Sequence, residues 1–230
     1  MFRKIIVLLS ISLAGGSLSG GASAQTPPSA AQIKQYTGIH QAAYANDVVE
    51  IGRLAKTGAD INARDSYRRT PAHVAAFASN DKALAALADA GADLNALEAG
   101  LYDVVTIAAV ANDPELMSLA IRRGNRADLT TSIYDGTALI AAAHLGHQEI
   151  VQRLIDAGAP LDHVNNLGWT ALIEAVILGD GGPDHLATVK ALVAAGADRS
   201  IADRNGVTPL AHAENRNYQD IAAIIRNGSQ

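Results

Sequence analysis

Seven histidines stand among 230 residues that include no cysteine. Imidazoles and carboxylates together could hold a zinc ion, and a histidine beside a carboxylate could move a proton. His144 and His147 are the one histidine pair three residues apart, a spacing that puts two side chains on one helix face. His163, His185 and His212 belong to no ligand pattern. Without thiolates, any zinc site would rest on imidazole and carboxylate alone. Glu174 and Glu214 fall inside stretches of helical character, where a solvated or locally paired carboxylate is the plainer reading than a general base. No G-x-S-x-G, no H-E-x-x-H and no phosphate-binding glycine loop occurs. The sequence therefore assigns no catalytic residue, no cofactor and no metal ligand.

The elements that would carry these side chains recur along the chain. Gly58-Ala59-Asp60 returns as Gly91-Ala92-Asp93, Gly124-Asn125-Arg126, Gly158-Ala159-Pro160 and Gly196-Ala197-Asp198, and Gly228 ends the series. A second marker keeps the same phase: Thr37, Thr70, Asp103, Thr137, Thr170 and Thr208, spaced by 33, 33, 34, 33 and 38 residues. Thr and Asp cap helix starts by accepting a hydrogen bond from an unpaired backbone N–H. Pro71 and Pro209 follow the marker at the first helical position, where a missing N–H costs nothing. Each glycine of the first marker ends a helix by taking a left-handed backbone conformation. Pro114 and Pro183 mark starts of second helices. Leu84, Leu87 and Ala88 form one apolar helical stripe; Ile150, Val151, Leu154 and Ile155 form another, and Val189, Leu192 and Val193 a third. One helix pair cannot bury such a stripe, but a stack of pairs can.

These residues resemble the ankyrin-repeat family, for which a 33-residue period with T-P-L-H-x-A is a stated signature. Thr70-Pro71-Ala72-His73 with Ala75-Ala76 is the fullest copy, and Gly146 to Ile155 is similar to the family's second helix. The resemblance implies an all-α solenoid of about six helix–turn–helix repeats with projecting β-turn fingers, starting near 37, 70, 103, 137, 170 and 208. It also implies that His40 and His73 hydrogen-bond the turns. The third copy lacks the Pro, the His and the Gly-Ala-Asp, and is expected to keep the fold with some local distortion. About five extra residues near Gly179–Asp184 should lie between two helices, on the edge away from the fingers.

Residues 1–24 read as a signal peptide: Arg3 and Lys4, an apolar run from Ile5 to Ala14, then Ala22-Ser23-Ala24 before a cleavage point. That run is too short to span a bilayer. Residues 25–36 follow as a leader or N-terminal cap segment, with Gln25–Ala31 expected to be loose, and residues 37–230 form the repeat domain. The expected place is the periplasm, with secretion as the second option. Without Arg3 and Lys4 the chain keeps 16 basic and 23 acidic residues, net −7. Such a balance without basic runs disfavours nucleic acid and anionic lipid. A protein partner is the leading expectation and a small molecule or cell-wall glycan the alternative. The chain is expected to be a monomer.

In ankyrin-like stacks, partners sit on the concave face of finger tips and first helices. By register this face carries Tyr44, Tyr67, Arg69, Phe77, Tyr102, Tyr134, His144, Trp169, Leu178 and Arg216. Six of the eight aromatics beyond residue 24 fall there. Aromatics and arginine dominate interface energies, although the same rings could instead stiffen neighbouring fingers.

Overall fold

The computed structural model describes residues 25–228, and the expected signal peptide lies outside them. A short helix α1 (Ala30–Gln35) precedes six helix pairs. The pairs are α2 (Gly38–Tyr44) with α3 (Val48–Lys56), α4 (Pro71–Phe77) with α5 (Asp81–Asp89), and α6 (Val104–Ala111) with α7 (Pro114–Arg122). Then come α8 (Ala138–Leu145) with α9 (Gln148–Asp156), α10 (Ala171–Ile177) with α11 (Pro183–Ala194), and α12 (Pro209–Asn215) with α13 (Gln219–Asn227). First helices pack on first helices and second helices on second helices, so the molecule is a two-row stack.

Local chemistry sets the helix ends. Thr70, Asp103, Thr137, Thr170 and Thr208 each accept a hydrogen bond from the N–H three residues on, as their positions predict; Thr37 makes no such bond. Gly58, Gly91, Gly124, Gly158 and Gly196 all have φ between 81° and 98°, the left-handed conformation that stops the second helices. Between these stops the two rows differ. Every residue of α4 from Pro71 to Ala76 is buried, as is every residue of α6 from Val104 to Val110. The second helices are amphipathic: α9 buries Ile150, Val151 and Leu154 and exposes Gln148, Glu149 and Gln152.

The fingers are tight hairpins. Asp65 N–H donates to the Arg69 carbonyl at 3.0 Å, and Glu98–Tyr102, Asn165–Trp169 and Asp203–Val207 repeat the bond. One backbone bond joins each of the first three fingers to the next, from Ala99 to Tyr67, Ser132 to Leu101 and Asn166 to Tyr134, and the Arg204 side chain bonds the Asn166 carbonyl at the last junction. The third finger, just before α8, has one extra residue and closes through a bridge between Thr131 and Gly136. Among the described residues no strand forms.

The divergent third repeat keeps regular helices. Asn125, where neighbouring copies have Ala, is buried and donates to Asp103 at 2.7 Å while accepting from the Val105 N–H at 3.1 Å. The extra residues of the fifth repeat lie between α10 and α11, and α11 has 12 residues against nine in α9. The Tyr218 hydroxyl donates to the Gly179 carbonyl at 3.1 Å, which ties this loop to the last repeat.

The N-terminal segment is less loose than its composition predicts. Ser29 caps α1 in a reciprocal capping box with Gln32. Gln25 and Pro27 lie against Ala76 and Phe77 of α4 and Ile107, Val110 and Ala111 of α6.

Candidate partner-binding face

The histidines sew repeats together. His40 Nε2 meets the Arg69 carbonyl at 3.0 Å and His73 Nε2 the Tyr102 carbonyl at 3.0 Å, as the family resemblance implies. The Thr70 N–H donates to His73 Nδ1 at 3.1 Å, so the proton of this ring sits on Nε2. Burial drives the His73 pKa down to about 4. His147 meets the Ala109 carbonyl at 2.9 Å, His163 that of Asp135 at 2.6 Å, and His185 that of His144 at 3.0 Å. A ring nitrogen facing a carbonyl must donate, so each of these is an inter-repeat clamp. His144 and His147 consequently point to different partners. Among the described residues no group of three or more histidine, aspartate or glutamate side chains is placed to hold a metal ion.

Each finger is anchored by an acceptor side chain at its base. Asp65 Oδ1 accepts from the Tyr67 and Arg69 N–H groups, and Glu98, Asn165 and Asp203 do the same in later fingers. The remaining oxygen or amide of most anchors turns inward. Asp65 Oδ2 takes Tyr36 Oη–H and Arg69 Nε–H, both at 2.9 Å. Burial raises the Asp65 pKa, but the Arg69 N–H, the Tyr36 hydroxyl, the Tyr67 N–H and the Arg69 charge outweigh it and hold the carboxyl below its ordinary value. Asn165 Nδ2 donates to Glu174 Oε1 at 2.8 Å, while Glu174 Oε2 lies 3.2 Å from His144 Nδ1. Glu174 is thus a buried network member, and the finger carrying Trp169 is wired through Asn165 to α10 and α8. Asp203 and His212 form the equivalent pair at 2.9 Å in the sixth repeat.

The aromatic row divides in two. Tyr44 and Tyr67 are exposed, at 37% and 48%, and Arg216 is exposed at the C-terminal end. Phe77, Tyr134, His144, Trp169 and Leu178 are half-buried, each with part of its side chain toward solvent. Arg69 and Tyr102 are corrections: they are 1% and 9% exposed and offer no free surface to a partner. Arg69 is drawn in by Asp65, covered by the Tyr67 ring 4.6 Å above its guanidinium, and approached at 3.5 Å by the Thr26 carbonyl. Tyr102 is closed over by its own turn, its ring 3.0 Å from where a side chain at Gly100 would begin; burial lifts its hydroxyl pKa to about 12.

Register did not single out Leu101, Ile133 and Val164, which project from the fingers 40–46% exposed. Leu101 has φ 64°, which a bulky side chain seldom tolerates. Its place two residues before the Asp103 cap, matching Gly168 and Gly206 in other copies, was the available signal.

A groove of about 990 Å³ that includes Tyr44 and Phe77 of this row is lined also by Pro27, Pro28, Ile33 and Val74. Asp113, Glu115 and Glu149 line it as well. No described helix is long and apolar enough to cross a membrane.

The family model for ankyrin repeats, in three copies, matches residues 105–199. An ankyrin repeat domain from Acinetobacter baumannii is similar in solved structure, with TM-score 0.77 and 40% identity over 82% of this chain and 95% of that one. The ankyrin repeat protein EF0377 gives TM-score 0.77 and 30% identity over 84% of this chain and all of that one. The ankyrin repeat protein YahD of Escherichia coli is 36% identical over 93 residues, which span 46% of that protein. With its capped helix pairs, finger row and histidine clamps, the chain belongs to the ankyrin-repeat family.

Proposed function

We propose that this chain is an exported, periplasmic binding module that grips one partner protein through its concave face of finger tips and first helices. Ankyrin repeats generally mediate protein–protein interaction. The observation that carries the reading is the aromatic row: rings with solvent-facing surface recur from Tyr44 and Tyr67 to Tyr134 and Trp169, in a chain with few other aromatics. The export reading rests on Arg3, Lys4, the apolar run and Ala22-Ser23-Ala24, and the lack of cysteine leaves packing alone to hold the exported fold. An adaptor, an inhibitor of a toxic enzyme and a protector of an envelope enzyme all use this same surface. The test is retention of one envelope protein by the purified chain and its loss when Tyr44, Tyr67 and Trp169 are changed to Ala with the helical circular dichroism intact.

A further inference from the structure

The concave face is not empty in its N-terminal half. Gln25 and Pro27 lie against Phe77, Ile107 and Val110 with only about 30 Å³ left between them. Pro27 and Pro28 line the larger groove together with Tyr44, Val74 and Phe77. This stretch holds two consecutive prolines, which fix φ, remove two backbone donors and bias the residues before them toward extended backbone. Aromatic-lined grooves suit such strands because little conformational freedom is lost on docking.

The fit is incomplete at two polar atoms. Arg69, buried beneath the segment, brings Nη1 to 3.5 Å from the Thr26 carbonyl, the outer limit for such a bond, and its Nη2 has no hydrogen-bond partner. Gln25 Nε2 is also buried without a partner. Buried donors left unpaired penalise the state that buries them. A strand whose carbonyl sat closer to the Arg69 fork would satisfy a donor that the chain's own segment leaves open.

We infer that this half of the concave face is a binding groove for an extended, proline-containing strand of a partner protein, and that Gln25–Pro28 takes up one side of it in cis as a displaceable competitor. The inference rests on the concave-face reading above and specifies the partner's chemistry. Tethering gives the chain's own segment a high effective concentration, so an incoming strand binds weakly until that segment leaves.

The experiment uses chain purified from cells expressing the full sequence, and the same chain with Pro27→Gly and Pro28→Gly. The probe is the synthetic peptide Gln-Thr-Pro-Pro-Ser-Ala-Ala-Gln, titrated into the millimolar range while NMR follows Arg69 Nε–H and the Phe77 ring. The expected result is saturable shifts at both residues, with at least tenfold tighter binding to the double variant. Adding Phe77→Ala to that variant should abolish the binding. Equal affinity for the two chains, or no shift in either, overturns the inference. If the peptide fails but the aromatic-face variant still loses its protein partner, the concave-face reading survives without this one. If the peptide binds but that variant loses nothing, the cis docking stands and the partner reading falls.

Discussion

Asn125 Nδ2 donates to Asp103 Oδ2 across 2.7 Å in the interior of the third repeat, linking a substitution in the helix-start marker to one in the helix-stop marker 22 residues later. Asp103 caps α6 through the Thr106 N–H at 2.8 Å, and burial raises its pKa against the bonds from Thr106 and Asn125. The two departures from the repeat pattern are therefore one feature. Asn125→Ala should destabilise the chain by about 2 kcal/mol, because it leaves a buried carboxylate short of a donor. Asp103→Thr alone should cost about 1 kcal/mol, because the Asn125 amide loses its shorter bond and keeps Asn95 Oδ1 at 3.1 Å. The double variant restores the usual Thr and Ala, and urea denaturation should place it within about 1 kcal/mol of wild type. Additive losses would contradict this account.

A second prediction concerns pH. His73 is neutral and buried, and its folded pKa of about 4 lies below the ordinary 6.5. The unfolded chain takes up this proton first as pH falls, so the contribution is complete above pH 6.5 and is lost between 6.5 and 4. The gap corresponds to roughly 3 kcal/mol. Burial lowers His147 in the same direction. Stability measured by urea titration should fall across this window, and His73→Gln should flatten the slope while lowering stability at pH 7.

The loop between α10 and α11 should be intolerant at Gly181. Its φ is 73°, and an added Cβ would lie 2.6 Å from the Tyr218 ring, whose hydroxyl bonds the Gly179 carbonyl. Gly181→Ala should cost about 2 kcal/mol through backbone strain and the displaced ring. The loss should be local: amide hydrogen exchange should quicken in α12 and α13 and remain unchanged in α4 and α6.

Much of the architecture was legible in the sequence because it depends on local rules. A cap at Thr70, a proline at Pro114 or a stop at Gly91 needs only its own neighbours, and the period carries those rules along the chain. What was not legible depends on long-range contact. The register that placed Arg69 on the concave face could not show that Asp65, the Tyr67 ring and Thr26 would enclose it. His163 and His185 lacked a pattern because their partners are backbone carbonyls of other repeats, which no residue type announces. The docking of Gln25 and Pro27 was invisible for the same reason.

Export has its own test. Replacing Ala22 and Ala24 by Asp should block processing after residue 24, because the cleavage site requires small side chains. N-terminal sequencing of the wild-type chain from an envelope fraction should begin at Gln25, and the variant should remain at full length with the membranes. A wild-type chain recovered unprocessed from the cytosol would remove the periplasmic assignment.

The central claim is that the aromatic row binds a protein. Its most direct test is a quantitative pull-down from envelope extract, followed by titration of the retained protein against wild type and Trp169→Ala. Both chains must show the same helical circular dichroism. The account predicts one retained protein whose affinity drops about thirtyfold, or ~2 kcal/mol, on loss of the Trp169 ring, and further with Tyr44→Ala and Tyr67→Ala. Undiminished binding by the triple variant would contradict it.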